Sequence, residues 1–526
     1  MKLKSILLAV GMAYLLTACY EDESAKDFKL VNPIKIEFWD DYAKSQKIFQ
    51  MDTLEIVPVI YKNGVQDADL EYEWKIQGNN YPVTVLSNKL VFRHQIDLAP
   101  NSTPYELILT VTDKTTSLQE YERISLTVES KFGEGLLVAD TRDEVRSDIS
   151  LVMAPNFTRS LQEKNKRTHY NVYSQMNKGQ KVDGLIKDIQ SSIKSDSRVL
   201  TFMTNTDIHR VDPYDFAAWQ MNSELFYVPL DEVHPGQLLK KDYGGDEFMI
   251  VNGKLHYRNS SWGNLYYSYY LFTPDNADYR VSYMMCVGSG YYTSAPYAYD
   301  EAKNRFIQVS SRNDAFIQFI AQESSLAFDV NHIGPYDAVF MDEGENSNLN
   351  TVLKAEDGSG YFVYAIQSKT ADNGHNLPVG RYDLSLCTDI MNATAFVSSP
   401  VSEDFYYSTH DQIYALTLKS DQSKPTSVSR YTALPGEKIT GLMLWKGEYQ
   451  RMNVVDDTKP NGIGEVNNQN RMLVVTTYNE STKEGKVITI PIVRLGDGTL
   501  EMNRAFHKEY GGFGRITRVA YNKVGN

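Results

Sequence analysis

The chain is predicted to be all-β, with an N-terminal Ig-like β-sandwich followed by a β-propeller of about seven blades. Three observations carry this prediction. From about Val31 to Ser130, apolar and polar residues alternate in short runs, the period-two pattern of half-buried antiparallel strands. After Lys131 the pattern lengthens into about seven hairpins, each a run of aromatic or β-branched residues, a polar turn and a second apolar run. The chain then closes on a lone strand-like segment with no hairpin partner after it.

The first residues are an address rather than part of this fold. Lys2 and Lys4 precede an apolar run from Ile6 to Leu16, and small residues lead to Cys19, the layout of a secretory signal. The run falls short of the roughly 20 residues that cross a bilayer as a helix. Leu16-Thr17-Ala18-Cys19 matches the bacterial lipobox, which is cut before a lipidated cysteine. Residues 1–18 therefore read as a lipoprotein signal peptide, and residues 19–30 as the acylated Cys19 and a tether. Two or three acyl chains exceed the marginal hold of a single one, so Cys19 is expected to fix the protein to a membrane. Glu21, Asp22 and Glu23 resemble the acidic export tags of Gram-negative lipoproteins, which implies the outer membrane and its exterior face.

A formal net charge of −14 argues against nucleic acid and anionic head groups as partners, since both would be repelled. Beyond Cys19 only Cys286 and Cys387 remain, in the apolar runs "SYMMCV" and "YDLSLC". They read as core thiols. With no CxxC and no Cys/His spacing, neither a metal site nor a cofactor is expected.

Within residues 31–130 the clearest strands are "LEYEWKIQG" (70–78), "YELILTVTDKTT" (105–116) and "RISLTVES" (123–130). Trp74 takes an inward position and reads as a core anchor between two sheets. A tryptophan strand followed by Tyr-x-Leu-x-Leu-Thr-Val-Thr-Asp, here Tyr105 to Asp113, resembles a PKD-type domain. That resemblance implies a module that spaces or binds.

Residues 131–526 carry the hairpins, which recur about every 40 to 70 residues, the scale of a propeller blade with long loops. "TNTDIHRV", "VNGKLHYR" and "THDQIYAL" are the best internal match. They place His209 and His256 where the third hairpin has Tyr414, which predicts packing rather than catalysis. The final segment "GRITRVAYNK" (514–523) would be an exposed edge if left alone; adding it to the blade that begins near Gly135 closes a ring.

The order of lipobox, acidic tag, one PKD-like domain, "EGLLVADTRDEVRSDISLV" and a hairpin array ending in "YGGFGRITRVAYNK" resembles the PKD-like family of surface lipoproteins. These accompany Gram-negative Sus-like nutrient-uptake systems. The resemblance implies the company of a TonB-dependent transporter and a lid lipoprotein, and it lends no residue a role.

Catalytic signatures are missing from the sequence: HExxH, GxSxG, Walker A and a strand-borne GxGxxG. "AEDGSGYF" (355–362) fails the sialidase box at both ends. No catalytic residue is nominated. "MDEGENSN" (341–348) and "VVDDTKPNGIGEVNNQN" (454–470) offer oxygen donors of the kind calcium takes, but lack its alternating loop spacing and read as solvated turns.

Tyrosine is the feature that stands out, with 36 in the chain, many in "SSWGNLYYSYYLFTP" (260–274) and "SGYYTSAPYAYD" (289–300). Flat rings with a polar rim suit stacking on sugars. Alternation would put Leu265, Tyr267, Tyr269 and Leu271 on one face and Tyr266, Ser268 and Tyr270 on the other. Trp262, Tyr291 and Tyr292, flanked by Gly and Ser, are the candidates for ligand contact. The functional expectation is a non-catalytic component that binds a glycan or glycopeptide for uptake. The alternatives are a propeller glycoside hydrolase or lyase, and an assembly partner that binds only the transporter complex.

Overall fold

The computed structural model describes residues 34–38, 44–62, 69–78, 81–100, 103–159, 161–192, 199–241, 245–259, 266–287, 294–310, 312–319, 327–367, 377–447 and 450–522. It is all-β, and the chain separates into two compact units, Met1–Lys131 and Phe132–Asn526. Among the described residues no helix is long and apolar enough to cross a membrane. Cys19 and the acidic tag lie outside the described residues.

In the first unit, five strands form one sheet in the order Ser45–Phe49, Gln119–Glu129, Tyr105–Asp113, Leu70–Gly78, Tyr81–Ser87, with only the first pair parallel. Two further antiparallel pairs, Ile34–Glu37 with Val59–Lys62 and Thr53–Ile56 with Phe92–Gln95, lie in the same unit. Strict alternation along Tyr105–Asp113 turns Tyr105, Leu107, Leu109 and Val111 inward. They meet Trp74, whose ring lies 5.0 Å from Phe92 and whose Nε1 donates to the carbonyl of Lys89. The hydrogen bond satisfies the one polar atom of a fully buried side chain.

The second unit contains, among the described residues, seven antiparallel sheets of three or more strands and one further antiparallel pair, Arg451–Val455 with Ile463–Asn467. The second to sixth begin at Asp188, Pro235, Met284, Tyr336 and Ala395, and each runs through its strands in sequence order. The seventh is built on Glu437–Leu444, Met472–Asn479 and Glu484–Arg494. The first is unlike them: Arg167–His169, Arg146–Met153 and Gly135–Thr141 are joined by the last strand of the chain, Arg515–Asn522. The opening strands of successive sheets lie beside one another. From Glu437–Leu444 the series passes to Arg515–Asn522 and from there back to Asp188–Ser192, so it returns to its start.

These strands are apolar almost without interruption because both of their faces are covered. In Met472–Asn479, Met472 and Val474 pack toward the first sheet with Leu136, Val138 and Ile516, while Leu473 and Val475 pack toward the sixth with Val397 and Tyr406. In Asp246–Val251, Met249 and Val251 face the second sheet, and Phe248 and Ile250 face the fourth. A glycine is required where the last strand enters: a Cβ on Gly485 would collide with the carbonyl of Gly514.

His209, His256 and Tyr414 each sit in the third strand of their sheet, directly after the turn-proximal apolar residue. His209 stacks on Phe202 at 4.9 Å and Tyr414 on Tyr407 at 5.0 Å. Burial pushes both histidines below the ordinary imidazole range, so each is neutral and serves as a packing ring.

Candidate functional site

Trp262, Tyr291 and Tyr292 lie outside the described residues; among the described residues an exposed aromatic surface is built from other side chains. It forms on the tyrosine-rich segment after the third sheet, residues 266–272, which runs beside the strand Lys254–Asn259 without becoming a strand. Ser268 N donates to Tyr257 O at 2.7 Å and Leu271 N to Leu255 O at 2.8 Å. Three residues thus span what two span on the neighbouring strand, and the extra residue breaks the alternation in the manner of a bulge.

The expected common face of Tyr267, Tyr269 and Leu271 is therefore corrected. Tyr267 and Leu271 are buried, whereas Tyr269 turns outward and is 46% exposed. Leu265 lies outside the described residues.

The two inward side chains fix the segment. Tyr267 OH donates to Glu247 Oε2 at 3.3 Å, and Arg258 Nε donates to the same oxygen at 2.6 Å across the hairpin. The guanidinium carbons of Arg258 and Arg210 stand 5.3 and 5.8 Å from the Tyr267 ring centre. Arg258, Glu247, Arg210 and Tyr267 are all buried. Burial and the neighbouring Arg258 charge both lower the Arg210 pKa, and burial raises that of the Tyr267 hydroxyl. At the other end, Tyr279 OH donates to Leu271 O at 2.8 Å and accepts from Leu255 N at 3.1 Å.

Held this way, the segment presents Tyr266, Tyr269 and Phe272 to solvent. Tyr269 and Phe272 are stacked at 5.8 Å, and Tyr266 lies 5.3 Å from Tyr227, which is 61% exposed. Trp219, 51% exposed on the last strand of the second sheet, joins them through Arg210, whose guanidinium lies 5.9 Å from the indole. The result is an aromatic ridge in two parts, the pair Tyr269 and Phe272 and the pair Tyr266 and Tyr227 with Trp219 beyond it, over a charge-paired support. It can stack on flat, amphipathic rings, and its tyrosine hydroxyls can hydrogen-bond at their rim. The sequence reading found the segment but not the ridge, because Trp219 comes from the second sheet, Tyr227 from the stretch that follows it, and the bulge hides Tyr269.

A PKD-like family model matches residues 19–184, a span that takes in the first unit from residue 19 onward and runs on through Gly135–Thr141 and Arg146–Met153 of the first sheet. No curated protein matches the chain. Among solved structures, a quinonprotein alcohol dehydrogenase-like protein from Bacteroides thetaiotaomicron is 14% identical over 92% of this chain and 99% of its own, with a TM-score of 0.35. A eukaryotic initiation factor is 9% identical over 86% of this chain and 98% of its own, with a TM-score of 0.29. Apo AztD from Citrobacter koseri is 11% identical over 74% of this chain and 97% of its own, with a TM-score of 0.20. At these scores none of the three bears on activity.

Proposed function

We propose that the chain is an outer-membrane lipoprotein, anchored through Cys19 and turned to the exterior by Glu21, Asp22 and Glu23. Its second unit is a seven-bladed propeller that holds a glycan or glycopeptide for a TonB-dependent, Sus-like uptake system without cleaving it. The propeller reading is supported by the seven sheets of three or more strands, the returning series of opening strands and the last strand's place in the first sheet. The binding reading rests on one observation, the ridge of Trp219, Tyr227, Tyr266, Tyr269 and Phe272 on its buried Arg258–Glu247 support.

The test is calorimetric titration of residues 21–526 with a panel of soluble polysaccharides, followed by chromatography of each mixture. Heat of binding with unchanged polysaccharide is the expected outcome. Tyr269→Ala and Phe272→Ala should each weaken it about 5- to 10-fold, the equivalent of roughly 1 to 1.4 kcal/mol of stacking. New products would refute the non-catalytic reading, and binding indifferent to both substitutions would refute the ridge. Placement is tested separately: Cys19→Ala should release the protein, and replacing Glu21, Asp22 and Glu23 by Ala should leave it lipidated but shielded from surface labelling.

A further inference from the structure

A second feature lies between the fifth and sixth sheets, away from the aromatic ridge. A crevice of about 190 Å³ opens there, lined among others by Glu345, Asn348, Asn350, Gln367, Ser402 and Glu403. Glu345 and Asn348 belong to the acidic stretch "MDEGENSN", whose composition reads as a solvated turn.

Three donors on the wall are already engaged within the protein. Ser402 Oγ donates to Asp404 Oδ2 at 2.7 Å, Tyr382 OH to Leu418 O at 3.1 Å, and Asn350 Nδ2 to Ser398 Oγ at 2.8 Å. Beside them stand oxygen acceptors. Asn350 is only 5% exposed, yet its Oδ1 has no hydrogen-bond partner, and neither has Asn348 Oδ1. A buried amide oxygen left in that state costs roughly 1 to 3 kcal/mol, which a ligand at this wall would recover. The amide is held in place, since a Cβ on Gly344 would collide with Asn350 Nδ2.

Two carboxylates share the wall. Glu345 and Glu403 both line it, and their like charges repel one another. Bringing a cation between the two glutamates would relieve that repulsion.

We infer that this crevice binds a hard divalent cation of the calcium class, held by the carboxylates of Glu345 and Glu403 and the amide oxygens of Asn348 and Asn350. Carboxylate and amide oxygens are what such ions select, and the crevice leaves room for waters to complete a shell of about 6 to 8 oxygens. The site is independent of the glycan reading: it stands on different sheets, and either can fail without the other.

The experiment is calorimetric titration of chelator-treated mature chain with calcium chloride. One-site binding is expected, with a dissociation constant of about 0.1 to 1 mM, the range of extracellular calcium modules. Glu345→Gln and Glu403→Gln keep the side-chain shape and should each weaken binding about tenfold or more, since each removes one ligand charge. Circular dichroism and an unchanged melting midpoint in chelator establish that the variants fold. The inference is overturned by an absence of calcium heat in the wild type, by undiminished binding in the double variant, or by equal binding of methylammonium chloride.

Discussion

Removing the last strand should unfold the second unit. The strand Arg515–Asn522 pairs with Gly135–Thr141 from Gly135↔Asn522 to Thr141↔Arg515 and buries Ile516, Val519 and Ala520. It also carries the contact of Arg518 Nη2 with Asp188 at 2.9 Å and that of Asn522 Nδ2 with the carbonyl of Gly133 at 3.0 Å. Losing Ile516 alone amounts to about 2 to 5 kcal/mol by large-to-small core substitution, and each lost hydrogen bond adds about 0.5 to 1.5 kcal/mol net. The ladder and its side chains together therefore exceed the roughly 5 to 15 kcal/mol by which a whole domain is stable. They would also leave the fully buried strand Gly135–Thr141 as an open edge. A chain ending at Gly514 should thus lose its cooperative thermal transition and become sensitive to protease. A chain lacking residues 1–131, a far larger deletion, should keep that transition, because those residues form their own compact unit. A cooperative melt of the truncated chain within a few degrees of the intact one would refute the closure argument.

Two further outcomes follow from buried titratable groups. His209 has no hydrogen-bond partner on either ring nitrogen, and burial lowers its pKa, so below about pH 6.5 the unfolded chain binds a proton that the folded chain refuses. The stability it withholds is absent above the unfolded pKa and grows as pH falls toward the folded one. His209→Phe, which keeps the stack on Phe202, should therefore stabilise more at pH 5.5 than at pH 6.5, by at most about 1 kcal/mol. Denaturant titration at both pH values checks it, and an equal gain at each would count against the neutral-ring reading. Cys387, whose thiol burial pushes up to about 12, should resist iodoacetamide at pH 8 until denaturant is added, as followed by mass spectrometry. Rapid labelling of the native chain at this residue would contradict its buried place.

Trp74 and the strand Tyr105–Asp113 were legible because one face of their sheet is covered and the other is not, so alternation in the sequence is alternation in space. The last strand was legible for a different reason: a lone apolar segment after a series of hairpins must find an edge, and Gly135–Thr141 supplies one. Facing was illegible in the second unit. Along Met472–Asn479 every residue up to Tyr478 is buried, so apolarity marks the strand but says nothing about which sheet Val474 or Val475 meets.

The two candidate sites escaped the sequence by separate routes. On the ridge, a single extra residue against Lys254–Asn259 turned Tyr269 outward and left Tyr267 in, a displacement no period-two count registers. In the crevice the signal was compositional but split. Glu345 and Asn348 stood together in one acidic stretch, whereas Glu403 comes from the next sheet. What converts that stretch from a solvated turn into a site is the burial of Asn350 Oδ1 without a partner, a property of packing rather than of spacing. Both cases follow from one constraint. A fold that buries strands on both faces has little polar surface to spare inside, so its chemistry gathers at sheet margins and between sheets, where residues distant in sequence are brought side by side.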